Sequence, residues 1–187
     1  MLILASSSPR RKELLKKITT DFVVISPDID EGALSFVPAK DLAAEESKEK
    51  AYAIKAKYPN DEIISCDTIV VLESGEVLGK PGNAENARKM LENESGKKQY
   101  VLSGYTYIGK GVEITRTVKS VVYFNKLSPE LIEEYIEKKK PFDKAGAYGI
   151  QDGFPLIREI VGSFDNVMGL PTEDIYEHVI LRGKSLY

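Results

Sequence analysis

The sequence predicts an α/β protein with a mixed central β-sheet flanked by helices. Predicted helices alternate with apolar strands along most of the chain, which is typical of α/β sheets. Two strand pairs are joined by short turns, Ser74-Gly75 and Gly109-Lys110-Gly111, and such turns make the strands that they join antiparallel. We therefore expect a three-layer arrangement with a mixed sheet, forming one domain over residues 1–187.

The first half of the chain contains three predicted strands and two predicted helices. The strands are short apolar runs at residues 2–5, 22–26 and 62–72. The first helix covers residues 9–17, with Ser8 as its N-cap and Pro9 in its first turn. The second covers residues 41–58, where apolar side chains recur at helical spacing until Pro59.

The second half continues the alternation. A short strand ends near Gly79-Lys80-Pro81, and a helix follows over residues 84–95, with Asn83 as its cap and Gly96 as its stop. Alternating residues predict a long hairpin of strands 100–108 and 112–124. The remaining predicted elements are a helix from Ser128-Pro129, a glycine-rich connection 141–151, a strand 154–161, and a last helix that Thr172 caps and Gly183 ends.

Composition limits the chemistry that this chain can perform. The 187 residues include one His and one Cys, so no intrachain disulfide or Cys/His zinc site can form. Carboxylates, hydroxyls, amides, Lys and Arg remain, and they suit hard cations and phosphates. A net charge of -3 argues against strong nucleic-acid binding. No apolar run reaches transmembrane length, and we expect a cytoplasmic protein with no membrane partner.

Two segments are candidates for phosphate or metal chemistry when each is considered alone. Ser6 to Arg11 reads Ser-Ser-Ser-Pro-Arg-Arg between a strand and a helix, which predicts either an anion site or a capped surface helix with solvated arginines. Asp67 lies within an otherwise apolar strand, where an ionised carboxylate needs a cation, a lysine or a proton. For Asp67 we favour a functional role over a structural one.

Two further segments are weaker candidates. Asp28, Asp30 and Glu31 form an acidic loop that could bind Mg²⁺, although a solvated acidic turn is the favoured interpretation when the loop is considered alone. Residues 143–151, Asp-Lys-Ala-Gly-Ala-Tyr-Gly-Ile-Gln, let a planar ligand approach the backbone, and Gln151 could pair with a base edge. The alternative for that segment is a flexible loop.

Taken in order, these segments closely resemble the Maf family of nucleoside triphosphate pyrophosphatases. The resemblance runs from residue 3 to about residue 182, and its most specific parts are the glycine-rich segment 143–151 and the segment 162–171. The shorter matches are residues 5–11, 27–31, 66–70, 79–81 and 95–96. Two positions depart from the family pattern: Cys66 replaces a smaller residue, and Ser103 replaces a common Thr.

The resemblance implies hydrolysis of a nucleoside triphosphate to its monophosphate and pyrophosphate, with a divalent metal, Mg²⁺ or Mn²⁺. It also implies a fold like that of the inosine triphosphatases, with the substrate in a cleft between two lobes. By matching positions, Asp67 is the expected catalytic carboxylate and, with Glu31, a metal ligand. The expected phosphate-binding residues are Ser6, Ser8, Arg11, Lys50 and Lys80, and those expected to set substrate choice are Arg10, Thr68 and Gln151.

This last set indicates the subgroup that acts on dTTP and UTP, with modified uridine triphosphates as further candidates. Two alternatives remain open at this stage. One is an inosine or xanthosine triphosphatase, and the other is a non-catalytic module that binds nucleic acid or a cell-division partner. The oligomeric state is also open, and a homodimer is one expectation. Cys66 is expected to pack on the strand face opposite Asp67.

Overall fold

The computed structural model describes residues 1–30, 34 and 36–184. Seven strands form one sheet: β1 Leu2–Ala5, β2 Phe22–Ile25, β3 Glu62–Leu72, β4 Val77–Leu78, β5 Lys98–Gly109, β6 Val112–Phe124 and β7 Ile157–Val161. The helices are α1 Pro9–Leu15, α2 Ala39–Lys57, α3 Ala84–Glu94, α4 Pro129–Lys139, α5 Phe164–Met168, α6 Thr172–Ile175 and α7 Leu181–Lys184. A short 3-10 helix covers Ala145–Ala147, and a π-helical turn, Tyr176–Ile180, joins α6 to α7. Within the described ranges, no helix has the length and apolar character needed to span a bilayer.

The sheet is mixed, as the sequence predicts. Its strand order is β2-β1-β3-β5-β6-β7, and β4 pairs with β3 outside this path. Strand β1 runs parallel to both β2 and β3, with Leu4 opposite Val24 on one side and Ile64 on the other. The pairs β3–β4 and β6–β7 are antiparallel. The parallel pairs therefore involve the first three strands of the chain, and the pairs β3–β4 and β6–β7 make the sheet mixed.

The chain divides into two compact units. The first comprises Met1–Thr68, Leu102–Val118 and Asp165–Tyr187, and the second comprises Ile69–Val101 and Lys119–Phe164. In the second unit, α3 packs against α4, and Phe124 makes an edge-on ring contact with Tyr148. The prediction of one domain is not tested by this division.

Apolar side chains cover both faces of the sheet in the first unit. Alternate residues of a strand point to opposite faces, so Leu4 and Ile3 belong to different core clusters. The Leu4 cluster includes Leu15 of α1, and the Ile3 cluster includes Ile54 of α2. Helices therefore cover both faces here, as the predicted three-layer arrangement requires.

The C-terminal segment differs from its prediction in three ways. Helix α5 was not predicted, because its five residues are too few to show a helical period. The prediction that Thr172 caps the last helix is wrong: Thr172 is buried as the first residue of α6, and its hydroxyl donates to Asp165. The π-helical turn also interrupts what the sequence predicts as one continuous helix.

Glycine at position 104 allows α2 to approach β5. A Cβ atom at Gly104 would lie 2.2 Å from the backbone nitrogen of Ala44 in α2. Neither backbone can move without disturbing the core between them, because Ala43 and Ala51 of the same helix are fully packed.

We expect Gly104→Ala to lower the free energy of unfolding by about 3 kcal/mol, since the added methyl group overlaps backbone atoms. Urea unfolding monitored by circular dichroism measures the change. Gly79→Ala is the matched control, because a Cβ at Gly79 meets no atom within 4 Å. Equal stabilities of the two variants would show that α2 does not depend on this close approach.

Candidate active site

An ion pair joins β3 to α2 in the first compact unit. The ammonium of Lys50 lies 2.8 Å from Oδ1 of Asp67, and the two side chains are 10% and 17% exposed. Helix α2 is held at this distance by Ser47, whose carbonyl accepts from Ser65 of β3 and whose hydroxyl bonds Thr106 of β5 at 2.8 Å. The lysine thus supplies the partner that a carboxylate on an apolar strand requires.

The turn between β1 and α1 is built by its own serines. Oγ of Ser6 accepts from the amide of Ser8 at 3.0 Å, and Oγ of Ser8 accepts from the amide of Arg11 at 3.3 Å. Ser8 is therefore the N-cap, as predicted. Because these two amides are already satisfied, the turn offers an anion its serine O–H groups rather than those N–H groups.

The carbonyl oxygen of Gly169 organises the arginine end of this site. It accepts from Nε of Arg11 at 2.7 Å, from the Thr68 hydroxyl at 3.3 Å and from the Cys66 thiol at 3.4 Å. Nη2 of Arg11 also donates to Thr68 at 3.1 Å. A guanidinium has five N–H donors, so the two used here orient Arg11 and leave others for a phosphate.

Strand β3 separates the predicted residues into two sets. Asp67 contacts Lys50 on one side, whereas Cys66 and Thr68 contact Gly169 on the other. Cys66 is fully buried in the Leu4 core cluster, which is the packing position that the sequence predicts. Thr68 also bonds Ser103 at 2.8 Å, so its hydroxyl is engaged within the protein. Arg10 is exposed.

Lys80 belongs to the second compact unit, where its backbone is tied to the glycine-rich segment. The carbonyl of Gly79 accepts from the amide of Gly146 at 3.2 Å, and the amide of Gly82 donates to Phe142 at 3.0 Å. These two hydrogen bonds hold the backbone on both sides of Lys80. The lysine side chain itself is exposed.

Gln151 lies in the same unit, exposed, beside a firmly held carboxylate. Asp152 accepts from Lys144 at 2.9 Å and from the Tyr135 hydroxyl at 2.7 Å, and that hydroxyl in turn accepts from the amide of Gly149. Burial alone would raise the pKa of Asp152, but the hydrogen bonds from Tyr135 and Lys144 bring it below its usual value. The predicted flexible loop is therefore anchored on both sides of Gln151.

Of the two expected metal ligands, Asp67 and Glu31, the structure describes only Asp67. Glu31 lies outside the described residues, and Asp28 and Asp30 of the same loop are exposed. Among the residues that the structure describes, no group of three or more His, Cys, Asp or Glu side chains could hold a metal ion. Asp67, the other expected ligand, lies within the described residues, and one or two carboxylates plus phosphate oxygens are a common donor set for Mg²⁺.

Two contributors to this site were missed by sequence reasoning. Gly169 acts through its backbone carbonyl, and the only signal for it was the glycine within the specific segment 162–171. Ser103 was noted only as a departure from a pattern, although its hydroxyl bonds Thr68 and the carbonyl of Asn166.

Comparison with known proteins shows that the sequence of this chain matches a protein family. The sequence model described as Maf-like protein matches residues 1–180. A protein of Pyrococcus abyssi named dTTP/UTP pyrophosphatase is 44% identical over 97% of this chain and 96% of its own length. Proteins with the same name from Thermosipho melanesiensis and Syntrophus aciditrophicus are 47% and 42% identical, covering 94% of this chain each and 94% and 87% of their own lengths.

One solved structure aligns over almost the whole chain. It is a nucleoside-triphosphatase, titled dITP/XTP pyrophosphatase, from Mycobacterium abscessus, and the alignment covers 99% of this chain and 96% of that one. The sequences are 15% identical and the TM-score is 0.45, a likeness too distant to carry any argument about this chain.

We expect the thiol of Cys66 to resist modification in the folded protein. It is fully buried, and burial raises the pKa of the thiol, so little reactive thiolate forms. Titration with a thiol reagent at pH 8 should detect no free thiol in the native protein and one in guanidinium chloride. Rapid labelling of the native protein would contradict the packing role.

Proposed function

This chain belongs to the Maf family, and from that premise we propose that it hydrolyses dTTP and UTP to the monophosphate and pyrophosphate. The observation that carries the proposal is the Lys50–Asp67 pair, in which a nearly buried ammonium on α2 contacts a nearly buried carboxylate on an otherwise apolar strand. The name dTTP/UTP pyrophosphatase shared by the relatives supports this choice of substrates. Such an enzyme removes nucleotides from the cellular pool, and we propose that it does so in the cytoplasm.

The cationic and hydroxyl groups are suited to bind a triphosphate. An ammonium has three N–H donors, so Lys50 can keep its bond to Asp67 while it donates to a phosphate oxygen. Arg11, oriented by Gly169, offers its remaining N–H groups, and the O–H groups of Ser6 and Ser8 can donate as well. Lys80 supplies a further positive charge for the leaving pyrophosphate. Charge that develops on the phosphates is stabilised by such fixed donors.

Asp67 is the group that acts on the attacking water at the α-phosphorus. Two roles are consistent with its position: a base that accepts the water proton, or a ligand of a divalent cation. Mg²⁺ or Mn²⁺ would be held by Asp67, by Glu31 and by phosphate oxygens, where it would neutralise part of the triphosphate charge. In either role, the contact with Lys50 fixes the direction of the Asp67 carboxylate.

Substrate choice is proposed to depend on Gln151, Arg10 and Thr68. The amide of Gln151 can donate to O4 and accept from N3–H, an edge that uracil and thymine share. Thr68 acts through Arg11, because its hydroxyl is already bonded to Arg11, Ser103 and Gly169. Neither a purine-specific triphosphatase nor a non-catalytic binding module is favoured by the names of the relatives. A homodimer and the use of modified uridine triphosphates stay predictions.

We expect Asp67→Asn to lower the rate of pyrophosphate release from dTTP by at least about 100-fold, the usual worth of a catalytic acid–base group. A coupled assay for pyrophosphate with Mg²⁺ measures this rate. Glu85→Gln is the matched control, since Glu85 is an exposed carboxylate that also pairs with a lysine, Lys89. Turnover by Asp67→Asn within a few-fold of the unchanged protein would reject the assignment.

Gln151→Glu should lower kcat/KM for both dTTP and UTP by about tenfold, since one hydrogen bond to O4 is lost. The loss should lie mainly in KM, because Gln151 recognises the base and not the reacting phosphate. Steady-state kinetics across dTTP, UTP, CTP and ITP measures it. Asn93→Asp makes the same amide-to-acid change at an exposed position of the same unit. An unchanged KM for dTTP would exclude Gln151 from base recognition.

A further inference from the structure

The last residue of α3 is a buried carboxylate with no assigned role. Glu94 is 1% exposed, and neither of its carboxylate oxygens has a hydrogen-bond partner among the described residues. It lies on the buried face of the helix, in register with Ala87 and Leu91. An ionised carboxylate in such a place would lose its hydration without gaining a partner, so the neutral acid is the form that this packing tolerates.

The glycine-rich segment covers this carboxyl group. A Cβ atom at Gly146 would lie 3.0 Å from Oε1 of Glu94 and 3.3 Å from the ring of Tyr148. Gly146 also has φ +71°, a conformation that favours glycine. Glu94 therefore packs directly against the Ala145–Ala147 turn. The turn can lie this close to the carboxyl group because position 146 carries no side chain.

A backbone hydrogen bond connects the Ala145–Ala147 turn to the residue before Lys80. The amide of Gly146 donates to the carbonyl of Gly79, the residue directly before Lys80. A shift of the turn away from Glu94 would therefore lengthen this hydrogen bond or move Gly79 with it. Glu94 thus acts on Lys80 without touching it.

The titratable groups around Glu94 do not stabilise a negative charge there. Burial raises the pKa of Glu94 well above 4.5, and no cation of the described residues contributes to its pKa. The phenols that face it, Tyr135 on α4 and Tyr148 on the glycine-rich segment, have raised pKa values and stay neutral. The remaining charged groups nearby, Lys144 and Asp152, pair with each other, and Asp152 also accepts the hydrogen bond of the Tyr135 hydroxyl.

We propose that Glu94 is a positioning residue whose buried carboxyl group stays protonated and supports the Ala145–Ala147 turn, and through it the backbone before Lys80. Loss of this proton places a negative charge against the turn and weakens the packing of the turn on Glu94. The consequence for phosphate binding rests on the proposed function, whereas the effect on the turn does not.

Glu94→Gln tests the proton directly, because glutamine keeps the shape of the neutral acid and cannot ionise. Since the folded protein binds this proton more tightly than the unfolded chain, Glu94 lowers stability as the pH rises above about 4.5. The unfolding equilibrium constant of the unchanged protein should rise, relative to Glu94→Gln, by about tenfold for each pH unit until Glu94 ionises in the folded state. The unfolding equilibrium constant of the unchanged protein should rise with pH by the same factor when it is compared with that of Glu94→Leu.

Gln99→Leu is the matched control. Gln99 is also 1% exposed and has no hydrogen-bond partner for either side-chain atom among the described residues, but it cannot ionise. Its replacement should leave the pH slope of the unchanged protein intact. Parallel pH profiles for the unchanged protein and Glu94→Gln would overturn the proposal.

Two further readouts separate positioning from stability alone. Amide exchange at Gly146 should accelerate with pH more in the unchanged protein than in Glu94→Gln, beyond the intrinsic pH effect. KM for dTTP should rise with pH in the unchanged protein relative to Glu94→Gln, with kcat little changed. Equal exchange in the two proteins would overturn the positioning role even if dTTP is not a substrate, so this result is independent of the proposed function.

Discussion

The pairing of Asp67 with Lys50 is the interaction on which the rest of the site depends. A carboxylate in the middle of an apolar strand needs a cation, and α2 must lie close to the sheet to provide one. Gly104 permits that approach, and Ser47 fixes it through bonds to Ser65 and Thr106. Packing, hydrogen bonding and charge therefore combine to hold the Asp67 carboxylate in one direction beside the Lys50 ammonium.

A second support acts in the same way on the arginine side of β3. There the carbonyl of Gly169 orients Arg11, while Thr68 bonds both of them. In the second compact unit, hydrogen bonds from the glycine-rich segment hold the backbone around Lys80. Arg11 is thus oriented by a backbone carbonyl and a hydroxyl, and Lys80 is positioned by the hydrogen bonds of its neighbouring backbone.

Local patterns were sufficient to predict most of the helices and strands. Strand β3 has the bounds that its apolar run predicts, and Ser8 and Asn83 cap α1 and α3 as expected. Contacts between distant segments were not accessible in this way. Gly169 contributes a carbonyl, which no residue type reveals, and Thr172 looks like a cap because sequence does not show that Asp165 takes its hydroxyl. For Glu94 there was a signal, an acid in line with Ala87 and Leu91 on an apolar helix face.

The most direct test of the central claim follows the oxygen of the attacking water. Hydrolysis of dTTP in ¹⁸O-labelled water, with the products separated and weighed by mass spectrometry, identifies the phosphorus that is attacked. Attack at the α-phosphorus, next to a carboxylate held by Lys50, places the label in dTMP and leaves pyrophosphate unlabelled. Label in pyrophosphate, or release of inorganic phosphate with dTDP, would contradict the account.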